Sequence, residues 1–506
     1  MINSINVLRA AAIEIIAIVL LVACGGSGTT STTSNAAQNN FYEANPRGAT
    51  SLVAAPSVEG PIASDAGLKG RPFGTTVEAL APLQPYDYVE EEYFFSGTAQ
   101  ERDEDGVLTG GPDATFVSRI MVRRPKLASV FNGTVFLEWY NVTGQSDTDV
   151  LWNASHDMLM REGFVYVGVS AQETGVSGGS PLALKNWDPV RYGPLSHPGD
   201  GYAWDIYAQA GRALFAQNSG PSPLAGLVPK RMIAGGESQS SFMLVAYSDV
   251  VQREHKLFDG FFLHTGPVEG KGVDDVGVPV LHFITETEID GILALETGGA
   301  VLDYTVPVST QILPPLPPPY GADRGLIRVW EVAGASHFDK QLWAYTTAFA
   351  VREASSPGDV PIYLEQPIFC GLPINEVGQG RVAAAALHHL NKWVASGRAP
   401  ESQPRIELDE YYRIIRDADG LAQGGIRTPP MAAPLGINRG DECTFWGSFQ
   451  EFLITDILAR YPSHQSYISA VTAAAMDSVG RGTLLYEEAM LYVEDAQERS
   501  AYWFGQ

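Results

Sequence analysis

Along the chain, short apolar runs alternate with longer stretches in which apolar positions recur at helical spacing. Residues 88–96 and 114–122 are rich in aromatic and β-branched side chains and flank a charged, glycine-bearing connection, the pattern of an antiparallel hairpin. Beyond them, residues 134–139, 164–169, 231–234, 258–263, 278–284 and 326–332 form short apolar runs, as strands buried on both faces must. Residues 149–161, 202–215 and 238–253 read as helices between them. A hairpin followed by strand–helix alternation predicts an α/β fold, a mostly parallel central sheet with helices on both faces. Three stretches fall outside it: a Gly/Pro-rich loop at 173–201, a Pro-rich insert at 290–323, and a C-terminal extension over 400–506. The sheet domain is therefore expected at 41–399, with the extension packing on it.

The N-terminus follows a different pattern. Arg9 precedes an apolar run, interrupted by Glu14, that ends at Ala23 and Cys24. At about 1.5 Å per residue the run is too short for a bilayer core of about 30 Å, so a signal peptide over 1–23 is expected rather than a spanning helix. Leu21, Val22, Ala23 and Cys24 resemble the lipobox of bacterial lipoproteins, in which the cysteine is lipidated and becomes the mature N-terminus. The resemblance implies export to the bacterial cell envelope and an anchor at Cys24, facing the periplasm or the cell surface. An ordinary secretory signal is the alternative. Residues 24–40 are small, polar and uncharged, a flexible tether with a reach of roughly 20–25 Å.

With 506 residues, 45% hydrophobic and 18% charged, the chain can bury a large core and is not a disordered protein. Its 33 basic and 58 acidic residues give a net charge of −25, which repels phosphate backbones and anionic lipid. Nucleic acid is therefore excluded as a partner, and a membrane is expected only through the anchor. Besides Cys24 the cysteines are Cys370 and Cys443, which outside the cytoplasm are more often joined than free; two buried thiols are the alternative. If joined, they close a loop worth about 4 kcal/mol on the chain-entropy view. No cysteines or histidines sit together at ligand spacing, so no metal is expected.

Two serines stand in a Gly-x-Ser-x-small context, Ser177 and Ser238. A nucleophile elbow needs a strand before it and a helix after it, so that the serine stands above the sheet edge. Ser177 is followed by Pro181 and Pro189 and reads as loop. Ser238 follows the 231–234 strand closely and opens onto an almost wholly apolar helix, so it is the candidate nucleophile. A serine hydroxyl needs a positioned base. Among nine histidines, His337 lies just past the 326–332 strand, at the sheet edge where the Ser238 turn must lie. The preceding strand runs into Glu286, Glu288 and Asp290, any of which could orient the imidazole; Glu288 comes first and Glu286 second, because Glu288 lies a few residues past the strand end. The oxyanion would be held by the Gln239 N–H and by an N–H from the loop after Trp139, with Asn141 and Val142 as candidates.

From Tyr86 to the C-terminus these segments resemble the α/β-hydrolase superfamily. More narrowly they resemble a group of bacterial exported α/β-hydrolase-domain proteins with a Gly236-Glu237-Ser238-Gln239-Ser240 elbow. Further matching segments lie at 137–141, 197–200, 331–337, 370–375 and 424–429. The resemblance implies the α/β-hydrolase fold and a carboxylic ester hydrolase with a Ser-Glu-His triad, a small-molecule ester as substrate and no cofactor. Ser240 departs from the superfamily's usual glycine. The link between the 258–263 and 278–284 strands is too short for an inserted lid, so any cover must come from the 173–201 loop, the 290–323 insert or the tail. An acyltransferase or peptidase with the same nucleophile, or a surface-anchored binding protein that keeps the fold without the chemistry, are the other expectations.

Overall fold

The computed structural model describes residues 47–215, 221–266, 276–289, 323–359, 370–411 and 413–504. The signal segment, Cys24, the tether, Asp290 and nearly all of the 290–323 insert lie outside them. Residues 42–506 form one compact unit, so the extension is not a separate body.

Among the described residues the central sheet has nine strands: β1 (Ser57–Glu59), β2 (Tyr88–Ala99), β3 (Ala114–Pro125), β4 (Thr134–Trp139), β5 (Val165–Val169), β6 (Arg231–Glu237), β7 (Gly260–His264), β8 (Val280–Thr285) and β9 (Ile327–Val332). Their order is β1-β2-β3-β5-β4-β6-β7-β8-β9. β2 and β3 are antiparallel along their whole length, and β3 takes β5 antiparallel. From β5 to β9 every neighbour is parallel. Every residue of β4, β5, β7 and β8 is buried, which is why their runs are mostly apolar rather than alternating, with a few buried polar residues such as Glu138 and His282. Helices Val150–Arg161 and Gln379–Ser396 pack on each other and over β6, while Ala203–Ala213 packs against β2 and β3. β4 has β5 on one side and β6 on the other, so the strand order reverses here and a crevice is expected outside their carboxyl ends.

Three sequence expectations change in detail. The 173–201 stretch is no bare loop: it carries helices Glu173–Ser177 and Leu184–Trp187, anchored by the buried Trp187, Tyr192 and Leu195. The helix expected over 238–253 divides into Gln239–Ala246, a π-helical turn Tyr247–Val251, and Gln252–His255. Among the described residues the extension holds a two-stranded sheet of β10 (Gly436–Arg439) and β11 (Ser448–Glu451), and the helices Pro429–Ala432, Ile454–Arg460, His464–Gly480 and Tyr486–Phe504. It docks through specific polar contacts: Arg161 meets Glu488 at 2.8 Å, and the Tyr492 hydroxyl donates to the Val377 carbonyl at 2.7 Å.

Beside the hairpin, ion pairs fix the loop that follows β4. Arg119 meets Glu92 at 3.2 Å and Asp147 at 3.1 Å; Arg123 meets Glu90 and Asp149, both at 2.7 Å. All these side chains are buried or nearly so, where an unpaired charge would be prohibitive. The 141–149 loop is thereby held rigidly beside the elbow.

Candidate active site

β6 ends at Glu237 and a helix starts at Gln239, leaving Ser238 alone on the turn with φ 54° and ψ −121°. That is a strained conformation for a residue with a side chain, and such outliers concentrate at functional sites. The neighbours explain how it persists. A Cβ at Gly236 would lie 2.7 Å from the Ser240 carbonyl, so only glycine fits there. The Ser240 hydroxyl accepts from the Glu237 N–H and donates to the Glu237 carbonyl, both at 2.9 Å, so the serine that replaces the usual glycine pins the turn. The Ser238 N–H donates to His264 O at 3.0 Å. Ser177, by contrast, closes a short helix, Glu173–Ser177, that separates it from the end of β5 at Val169.

His337 lies just beyond β9, its backbone N–H bonded to the Thr287 hydroxyl at 3.0 Å. Its Nδ1 is 2.6 Å from Glu288 Oε1. The other Glu288 oxygen accepts from the Thr285 N–H at 2.8 Å and the Thr285 hydroxyl at 2.6 Å, which fixes the carboxylate. Glu286 does not reach the ring. It accepts from the N–H groups of Gly334 (2.6 Å) and Gly440 (3.0 Å) and from Arg416 (2.9 Å), binding the His337 loop to the extension.

The other edge of the ring faces an acid that the sequence did not single out. Nε2 lies 3.2 Å from Glu237 Oε1, and among the described residues it makes no hydrogen bond to the Ser238 hydroxyl. The Glu237 carboxylate also accepts from Thr265 Oγ1 at 3.1 Å and Asn141 Nδ2 at 3.0 Å. An acid closing a strand that carries no other polar residue from Met232 to Gly236 was the available signal.

Burial and charge set the protonation of this group. Burial pushes the Glu237 carboxyl up to about 7, against the pull of the His337 charge. For Glu288 burial acts upward too, but the hydrogen bond and charge of His337 outweigh it and hold the carboxyl below its usual range. Burial disfavours the His337 cation, yet the hydrogen bond and charge of Glu288, with the charge of Glu237, raise the ring above the ordinary imidazole value.

The oxyanion candidates separate. Gln239 is the first residue of its helix, so its N–H has no intrahelical partner, and among the described residues the Val142 N–H has none either. Asn141, expected as a donor, is not one: its N–H donates to Thr148 O at 3.1 Å in a reciprocal pair that closes the loop. Its side chain instead donates to Glu237, at the carboxylate and at the backbone carbonyl.

Two surrounding segments brace the site. Gln172 Oε1 accepts from Trp139 Nε1 (3.0 Å) and Gln239 Nε2 (2.9 Å), and Gln172 Nε2 donates to Asp200 at 3.1 Å. His197 Nε2 contacts Ala171 O at 2.8 Å, so the 197–200 segment supports the loop beside the elbow. From the extension, the Phe445 ring lies 4.9 Å from the His337 ring, next to the Cys370–Cys443 disulfide. Among the described residues no group of three or more His, Cys, Asp or Glu could hold a metal ion.

The model of the alpha/beta hydrolase domain family matches residues 58–494. No curated protein matches the chain. Among solved structures, the chain is similar to esterase Est22 over 41% of its own length, with 12% identity and a TM-score of 0.25. It spans 66% of that esterase. It is also similar to a serine hydrolase without lid from Xanthomonas campestris, over 38% of this chain and 71% of that one, with 14% identity and a TM-score of 0.23.

Proposed function

This chain belongs to the alpha/beta hydrolase domain family, and on that premise we propose that it is a serine-type carboxylic ester hydrolase acting through an acyl-enzyme. Ser238 is the nucleophile, His337 the base and Glu288 the acid that orients it. The observation that supports the reading is the 2.6 Å contact of Glu288 with His337 Nδ1, because it leaves Nε2 as the ring's reacting nitrogen at the sheet edge of the Ser238 elbow.

The Ser238 hydroxyl proton passes to Nε2 as Oγ bonds to the ester carbonyl carbon, and the carbonyl π pair moves onto its oxygen. The N–H groups of Gln239 and Val142 are the donors for that oxyanion. Collapse breaks the bond to the alcohol oxygen, which leaves with the proton from Nε2. Water then gives a proton to Nε2, its oxygen takes the acyl group, and Ser238 regains its proton. For the first step Nε2 must turn from Glu237 toward Oγ. At the N-terminus, Cys24 is the lipid-anchor site, tested by incorporation of a labelled fatty acid that Cys24→Ser should abolish.

The test of the chemistry is labelling by a fluorophosphonate probe together with turnover of a short-chain nitrophenyl ester. Ser238→Ala should abolish labelling and lower turnover by about 10⁶-fold if the three residues act as a unit. Wild-type protein that never takes the probe, or a Ser238→Ala variant that still does, overturns the reading.

A further inference from the structure

We propose that Glu237 is a positioning residue for His337: a second carboxylate, on the opposite edge of the ring from Glu288, that raises the basicity of Nε2. This rests on the reading of Ser238 as nucleophile and His337 as base.

Two carboxylates sandwich one imidazole, Glu288 at 2.6 Å from Nδ1 and Glu237 at 3.2 Å from Nε2. The Glu237 carboxylate is held in that position from two elements. Asn141, on the loop after β4, donates to Oε2, and Thr265, directly after β7, donates to Oε1. Thr265 does so from φ 44°, which a β-branched residue adopts only when its surroundings enforce it. A neutral amide would keep an acceptor for one of these two donors but would lack the negative charge. Only the negative charge acts on the ring.

The consequence falls on the step that creates the imidazolium. When Nε2 takes the Ser238 proton, the ring becomes a cation facing two carboxylates, which favours transfer. The cost is that the free ring also stays protonated to higher pH. The titratable groups facing the ring are Glu288, Glu237 and His264, and burial lowers His264 to about 3, so it stays neutral. Glu237 is itself pushed up by burial, and at 3.2 Å ring and carboxyl are close enough to titrate as a pair.

The experiment compares wild type with Glu237→Gln in two readouts: the acid limb of kcat/KM, and the pH titration of the His337 ring by NMR, its signal identified by loss in His337→Gln. Both should move down by about one pH unit or more, the size expected for removing an adjacent opposite charge, and the plateau of kcat/KM should fall roughly tenfold. Should Glu237→Gln fold poorly, Thr265→Val removes one donor to the carboxylate and should move the ring titration down by a smaller amount. A ring titration unmoved, or moved upward, overturns the proposal. Because that titration needs no turnover, its failure is distinct from failure of the hydrolase reading, which would show as absent probe labelling of wild-type protein.

Discussion

Glu286 and Arg416 are 130 residues apart in the chain and meet at 2.9 Å, tying the loop before His337 to the C-terminal extension. The same carboxylate accepts two backbone N–H groups, from Gly334 and Gly440, and its side chain is fully buried. Removing the cation would leave a buried charge without its partner. Arg416→Met should therefore cost about 3–5 kcal/mol, read as a lower urea midpoint. A midpoint within error of the parent would mean that the extension is held by its apolar contacts alone.

The two glutamates make opposite demands. Glu288→Gln keeps the shape of the side chain but loses the charge facing Nδ1, so kcat should fall by about 10³–10⁴-fold, and stability at neutral pH should fall too because the depressed carboxyl no longer contributes. Glu286→Gln should leave kcat within about tenfold and act mainly on stability. Equal kinetic losses for the two variants would remove the distinction drawn from their contacts.

Much of this arrangement is legible in the chain. β4, β7 and β8 read as mostly apolar runs because helices and neighbouring strands leave no face to water, and the strand–turn–helix around Ser238 follows from its flanking residues. What escapes the sequence is set by contacts between distant segments. Asn141 was a plausible oxyanion donor until its N–H met the Thr148 carbonyl, a bridge no periodicity announces. Glu237 looks like any polar strand end until Asn141, Thr265 and His337 converge on its carboxylate. Glu288 was ranked first from its place past the strand end, but that Glu286 pairs with Arg416 could not be read, because the docking of the extension is not written in its own pattern.

The protonation of the base gives a pH prediction. Nε2 must be bare to accept the Ser238 proton, and the His337 pKa is raised in the fold, so kcat/KM should reach its plateau only above the ordinary imidazole value of about 6.5. The effect on stability has the opposite sign. A histidine with a raised folded pKa stabilises the fold below its unfolded value and loses that contribution as pH rises through the folded one. Glu288, whose pKa is depressed, contributes above its unfolded value of about 4.3 and loses the contribution as pH falls through its folded pKa. The stability difference between wild type and His337→Gln should thus be largest between about pH 4.3 and 6.5, and should shrink as activity climbs. A difference that grows above neutral pH would contradict the assignment of the raised pKa.

Phe445 brings the extension into contact with the chemistry. Its ring is 4.9 Å from that of His337, yet Phe445 remains 48% exposed, so an apolar face stands open beside the base. The backbone that carries it is fixed twice, by the Phe338 N–H donating to the Phe445 carbonyl at 2.8 Å and by the Cys370–Cys443 bond two residues earlier. A fixed, half-exposed aromatic contributes chiefly to ground-state binding of an apolar substrate group, because it takes no part in proton transfer. Phe445→Ala should raise KM for esters with a phenyl or long alkyl group by roughly five- to tenfold, an energy of about 1–1.4 kcal/mol in buried apolar area, with kcat nearly unchanged and little effect on a methyl ester. Joint replacement of Cys370 and Cys443 by serine should give the same KM trend more weakly and cost up to about 4 kcal/mol of stability by freeing the loop of 73 residues. If Phe445→Ala instead lowers kcat for every ester alike, the ring acts by positioning His337 and not by holding substrate.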